Sequence, residues 1–144
     1  MQIKAITLDD IGIIRRLWEE LNAHHLSRST HFAHHFAAFH FEDRLAALKS
    51  RDQFIAFVAE SDHECIGYCI ATVHDGAGEI DSLFLDAACR GRGYGKALMD
   101  LALKWLEDQR CEPIRVSVAE GNEEALAFYR RFGFAERFVV MQRK

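Results

Sequence analysis

The sequence predicts an α/β (α+β) fold: one domain over residues 1–144, with a mixed central sheet of about six to seven strands flanked by about four to five helices. Three observations predict it. Apolar runs at 54–59, 65–73 and 80–85 are separated by short polar turns, the pattern of an antiparallel meander. The run ending at Leu85 leads into a glycine-rich turn, a periodic helix and another apolar run, the pattern of two parallel strands joined by a crossover helix. The helical stretches carry apolar residues on one face only, as helices do when they cover a sheet. Two parallel strands can splay apart where the loop leaves between them, and that opens a cleft.

Composition bounds the function. Apolar residues make up 49% of the 144 and charged residues 28%, ordinary values for a globular domain. The net charge of −4 comes with no basic face dense enough for nucleic acid. No apolar run approaches the roughly 20 residues a membrane helix needs. Met1-Gln2-Ile3-Lys4 does not open a signal peptide. Cys65, Cys69, Cys89 and Cys111 form no CxxC pair, so they read as free thiols of a cytoplasmic protein.

The elements follow in order. Gln2–Ile6 reads as a first strand. Thr7 with Asp10 three residues on resembles a capping box, and Ile11, Ile14, Trp18 and Leu21 share the inner face of the helix that follows. Residues 22–41 hold six histidines: His24, His25, His31, His34, His35 and His40. His31 and His35 have the i, i+4 spacing of metal ligands, but no HExxH and no third ligand stands at motif distance, so no metal is expected. Phe32, Phe36 and Phe39 instead fit one face of a helix, with the histidines at its margins. Glu42–Ser50 continues helically with Leu45 and Leu48 inward. After the meander, the helix from Tyr94 to about Asp108 buries Leu98, Leu101, Ala102 and Trp105. Ile114–Val118 is the next strand. Asn122 reads as the N-cap of a helix that Gly133 stops, and Phe134–Gln142 as a last strand.

The stretch Arg90-Gly91-Arg92-Gly93-Tyr94-Gly95-Lys96 stands between strand and helix. Glycine allows sharp turns and close approach of backbone to a ligand. The first turn of a helix presents free N–H groups and partial positive charge, so this is a site for a phosphate or pyrophosphate. A P-loop requires Ser or Thr after the lysine, and Ala97 stands there; the glycine spacing does not match GxGxxG. The pattern that matches is R-x-x-G-x-G, at Arg90, Gly93 and Gly95. It resembles the acetyl-CoA pyrophosphate loop of the GNAT superfamily of N-acetyltransferases. A second pattern of that family, N-x-x-A-x-x-F-Y-x-x-x-G-F, is matched by Asn122, Ala125, Phe128, Tyr129, Gly133 and Phe134. With the order of strands and helices, the resemblance spans essentially the whole chain.

The resemblance implies roles. Arg90 to Lys96 would hold the pyrophosphate of acetyl-CoA, largely through backbone N–H groups. The main chain of Leu83, Phe84 and Leu85 would pair with the pantetheine arm, and Asn122, with Ala125 and Phe128 in its motif, would border it. Tyr129 would protonate the departing sulfur, a step suited to a phenol because thiol and phenol pKa values lie near 8.5 and 10. A primary amine of a small molecule or peptide would attack directly in a ternary complex, so Cys89 needs no nucleophilic role. Asp81 and Glu79 are the candidate bases. Ideal alternation puts them on the face of Leu83 and Leu85 unless a bulge intervenes. The histidines of 24–35 are candidates for the acceptor wall. Two other readings stand beside this one: a non-catalytic acyl-CoA-binding or sensing domain, and a His-rich metal module. A homodimer through the last strand is a further expectation, since sheet edges invite pairing.

Overall fold

Strand β1 (Gln2–Ile6) begins a computed structural model that describes residues 1–144. A 3-10 segment (Leu8–Ile14) leads into α1 (Arg15–Arg28), followed by α2 (Ala33–Ala38) and α3 (Phe41–Lys49). The meander is β2 (Gln53–Ser61), β3 (Glu64–His74) and β4 (Ala77–Leu85). Then come α4 (Tyr94–Asp108), β5 (Ile114–Val116) and α5 (Ala125–Arg130). The sheet order is β1-β2-β3-β4-β5; all neighbours are antiparallel except the parallel pair β4/β5.

The sheet is covered on both faces. On one face Ile11, Ile14, Leu17 and Trp18 meet Phe41, Leu48, Ala56, Val58, Tyr68 and Ile70. On the other, Leu98, Met99, Ala102 and Leu106 of α4 meet Ala59, Cys69, Ala71, Val73 and Ile80. β3 is buried along Ile66–Val73, as its near-continuous apolar run requires of a central strand.

The structure departs from the sequence reading in several places. The sheet has five strands, not six or seven. β5 stops at Val116 rather than Val118, and residues 135–144 form no strand. Thr7 caps a 3-10 segment without a side-chain bond, and the α-helix proper begins one turn or more later. The His-rich stretch is not one helix: it breaks at Phe39–His40, where the His40 amide donates to the Asp43 carboxylate at 2.8 Å and starts α3. α5 begins at Ala125 with Glu124 as its N-cap. Asn122 sits a turn earlier, its carbonyl accepting from Ala125 N–H at 3.0 Å.

Candidate active site

The cleft arises where β4 and β5 part. Their pairing covers only Gly78–Ile80 against Ile114–Val116. Beyond Ile80, β4 has no strand partner on its β5-facing edge, up to Leu85 and the loop. The loop is shaped by two left-handed glycines, Gly91 (φ 78°) and Gly93 (φ 83°), the second being the N-cap of α4. The first amide of this region to find a backbone acceptor is Ala97 N–H, on Gly93 O at 3.1 Å. The amides of residues 91–96 donate to no protein acceptor. Six free N–H groups on a left-handed turn at a helix start have the arrangement that would suit an anion.

The side chains around the loop have narrower roles. Arg90 turns back, its Nε and Nη2 donating to Leu85 O at 3.2 and 3.1 Å, with its guanidinium 5.1 Å from the Phe84 ring centre. It braces the loop from the strand side. Lys96 pairs with Asp100 at 2.6 Å. Arg92 and Tyr94 flank the turn. Gly95 is buried, and a Cβ there would lie 3.3 Å from Leu85 and 3.5 Å from Phe128. That close approach seats α5 against the start of α4.

At the other end of the cleft lies a cavity of about 310 Å³. Glu79, Asp81, Ser82 and Leu83 of β4 line it, with Val116, Ser117, Val118, Ala119, Asn122 and Tyr129 opposite. Trp18, His25, His35, Phe36, Phe39 and Arg44 complete its wall. Thus β4 carries both the free edge and the carboxylates, and Tyr129 lines the same cavity.

A bulge decides what β4 presents. Ile70 pairs with Ser82 and Ala71 with Ile80, which leaves Asp81 without a partner on β3. Ile80 and Leu83, three residues apart, therefore both pack on the α4 side. Glu79 and Asp81 point to the opposite face, where Arg51 lies, not to the face of Leu83 and Leu85. The Asp81 side chain is only 1% exposed; it contacts the Thr72 hydroxyl and lies 3.6 Å from Arg51. Glu79, by contrast, is 37% exposed. Burial and the neighbouring Asp81 charge raise its pKa, against the opposing pull of Arg51, Arg44 and Arg115. The Tyr129 phenol is pushed up to about 12, by burial first and then by Cys69. It therefore stays protonated near neutral pH, and its hydroxyl donates to no protein group.

Of the histidines named from the sequence, His25 and His35 reach the cavity. Burial, with His24 and Arg44 nearby, lowers His25 to about 4, so its ring is neutral at pH 7. His24 faces Glu124 at 3.4 Å, and the His31 amide donates to Glu120 at 2.8 Å. No three His, Cys, Asp or Glu side chains converge on a metal position.

The sequence reading missed Glu120 altogether. Its carboxylate accepts from Ser29 Oγ at 3.0 Å and from the Thr30 and His31 amides at 2.8 Å each. These bonds depress its pKa. Arg28 adds an ion pair to Glu124 at 3.0 Å. Together they fasten the turn after α1 to the segment after β5 and close the cavity's rim. Asn22 does similar work within the wall, donating to Phe36 O and Phe39 O at 2.9 and 3.2 Å and so fixing α2 on α1. Neither role has a local pattern, because the partners are 14 to 91 residues away in the chain.

A mixed sheet split between parallel strands, with an amide-lined anion loop at one mouth and a polar cavity at the other, defines a class of α/β domain. Residues 13–134 match the model of the Acetyltransferase (GNAT) family, and the chain belongs to that family. It is 38% identical over 81 residues to a mycothiol acetyltransferase of Streptomyces avermitilis, covering 55% of this chain and 26% of that protein. It is 37% identical over 89 residues to an N-acetyltransferase of Methanocaldococcus jannaschii, covering 58% of this chain and 54% of that one. The match thus spans from about a quarter to about half of these relatives' length. Among solved structures, a GCN5-related N-acetyltransferase from Ralstonia eutropha superposes with TM-score 0.76 at 20% identity, over 99% of this chain and 97% of that one. An aminoglycoside N-acetyltransferase in complex with CoA superposes with TM-score 0.70 at 18% identity, over 99% and 98%. At such identities the likeness shows the shared fold.

Proposed function

We propose that the chain is an acetyl-CoA-dependent N-acetyltransferase acting on a primary amine of a small molecule or peptide. One observation carries this reading: the free amides of residues 91–96 and the cavity holding Tyr129 and Glu79 lie at opposite ends of the free β4 edge. The amides of Gly91, Arg92, Gly93, Tyr94, Gly95 and Lys96 would take the pyrophosphate. The main chain of Leu83, Phe84 and Leu85 would pair with the pantetheine arm, with Asn122 and the Ala125–Phe128 face of α5 on its other side. Acetyl-CoA supplies the activated thioester.

The remaining work falls to this chain's residues. An amine with a pKa near 10 is protonated in water and must lose a proton before it can attack. Glu79 is the general base, being partly exposed to the cavity and having a raised pKa. Asp81, held by Arg51 and the Thr72 hydroxyl, is a positioning residue whose charge helps raise Glu79. Tyr129 remains a phenol and donates a hydrogen bond to the sulfur as negative charge builds there. The aromatic and imidazole wall, from Trp18 to Phe39, would receive the body of the acceptor. The four free cysteines fit a cytoplasmic location, and we take the working unit to be a homodimer.

The test is acetyl-CoA turnover against a panel of primary amines, read by thiol release, alongside CoA binding by calorimetry. Release with an acceptor, at a rate reduced by Tyr129→Phe, supports the proposal. Absence of both CoA binding and thiol release would overturn it. Tight CoA binding without turnover across the panel would favour the sensing domain instead.

A further inference from the structure

The cavity wall carries one positive charge that nothing in the protein answers. Only two arginines of the chain, Arg44 and Arg51, are shielded in part from solvent; every other one is exposed. Arg51 is matched, since it lies 3.6 Å from Asp81 and 3.9 Å from Glu79. Arg44, on α3, is not. It pairs with no carboxylate, and its buried Nε has no hydrogen-bond partner. Its guanidinium stands 5.4 Å from the Phe39 ring centre. A ring takes the flat side of a guanidinium but none of the N–H groups along its edge. A half-buried cation in this state gains strongly from an anion brought to it.

Arg44 and Glu79 line the same cavity. Burial and Asp81 raise the Glu79 pKa, and Arg44 is one of the cations that oppose them, so its charge reaches that carboxylate. An amine arriving as an ammonium is drawn to Glu79 and meets the guanidinium on the same wall. A polyamine or other polycation would bring a second positive charge toward Arg44. An amine that also bears a carboxylate satisfies both groups. The planar fork of a guanidinium matches a carboxylate with two parallel N–H bonds. Burial first, then His24 and Arg44, keep the neighbouring His25 ring neutral, so it adds no second charge. One charge suits a monoanion better than a phosphate dianion. The rest of this wall is apolar at Trp18, Leu21, Phe36 and Phe39. About 310 Å³ lies at the small end of ligand cavities, the size for a small molecule.

We infer that the acceptor is a free amino acid with an apolar side chain, its carboxylate held by Arg44, its amine turned to Glu79, and its side chain against Trp18, Phe36 and Phe39. The inference rests on the proposed acetyl transfer and narrows its acceptor from any primary amine to one that carries a carboxylate. Arg44 is then the specificity-determining residue of the site. It touches the acceptor at a distance from the reacting atoms, so its effect falls on which amine is chosen.

Two matched pairs test it: phenylalanine with phenethylamine, and leucine with isopentylamine. Within each pair the amine and the apolar group are kept and only the carboxylate is lost. Turnover of acetyl-CoA should show kcat/KM about 10–100-fold higher for the acid than for its partner, the worth of a charge-assisted hydrogen-bonded contact. Arg44→Gln should bring that ratio close to one. Arg44→Lys keeps the charge without the fork and should retain part of it. Equal turnover within both pairs overturns the inference and leaves the transfer reading standing. So does turnover of other amines but of neither acid, or a preference for the acid that survives Arg44→Gln. If CoA binds but no amine releases thiol, the transfer reading is what falls, and binding judges the carboxylate site alone. Phenylalanine or leucine titrated into the CoA-loaded chain should then give heat in the calorimeter that Arg44→Gln abolishes. No heat from either acid with the parent chain overturns the inference as well.

Discussion

Gly121 offers the sharpest test of how the cavity rim is held. Its φ is +93°, and a Cβ built there would lie 2.4 Å from the Arg28 carbonyl oxygen and 2.6 Å from its carbon. These are backbone atoms, so no side-chain rotation relieves the overlap. For Gly121→Ala, an L-residue at positive φ costs about 1–2 kcal/mol. Separating the two backbones by the several tenths of an ångström that contact demands adds about 1–3 kcal/mol. A loss of about 2–5 kcal/mol, at about 3 °C per kcal/mol for a domain of this size, lowers Tm by about 6–15 °C. The displaced segment is the one Glu120 holds, so the Thr30 and His31 amides should lose protection in hydrogen exchange. The Michaelis constant for the acceptor should rise more than that for acetyl-CoA. Gly12→Ala is the control: its Cβ meets nothing within 4 Å, and it should leave Tm unchanged or slightly higher. A Gly121→Ala variant melting within about 1 °C of the parent, with Thr30 and His31 still protected, would refute the reasoning.

The other predictions concern chemistry and pH. Tyr129→Phe removes the hydroxyl but keeps the ring packing with Phe128 and Phe134, so kcat should fall about 10²–10³-fold with CoA affinity unchanged in calorimetry. As the proposed base, Glu79 would have to be deprotonated to act and its pKa is raised, so kcat/KM should climb with pH through a limb shifted up from that of an ordinary carboxylate. Glu79→Gln should erase that limb and cost about 10²–10⁴-fold. His25 is held neutral with its pKa lowered from 6.5 to about 4, so the native state resists its protonation. The stability this provides is present above pH 6.5 and is lost as pH falls through about 4; thermal melts across that window should show a shallower acid slope in His25→Phe than in the parent.

What could be read before folding was what depends on neighbours in the chain. The glycine loop was legible because its shape rests on consecutive residues, and Gly91 and Gly93 adopt the left-handed φ that their type permits. The meander was legible because alternation and turns are short-range. The Asn122–Phe134 pattern marked Tyr129, which lines the cavity, although α5 starts two residues later than its apparent cap implied. The face of Asp81 was not legible, because the bulge opposite Ile70 and Ala71 is a property of two strands and not of either sequence.

Taken alone, the sequence determined the family, the glycine-rich loop before α4 and the order of the elements, since each rests on local propensity or on spacing along the chain. Tertiary structure alone decided that Asp81 is tied to Arg51 while Glu79 is exposed to the cavity, and that His25 and His35 face the cavity while His31 is held by its backbone. It also decided that Glu120 closes a rim across 91 residues of chain, and that the last predicted strand has no edge of its own to join. The physical reason is common to all four. Burial, ion pairing and hydrogen bonding depend on which surfaces meet, and those surfaces are brought together by the sheet rather than by sequence proximity.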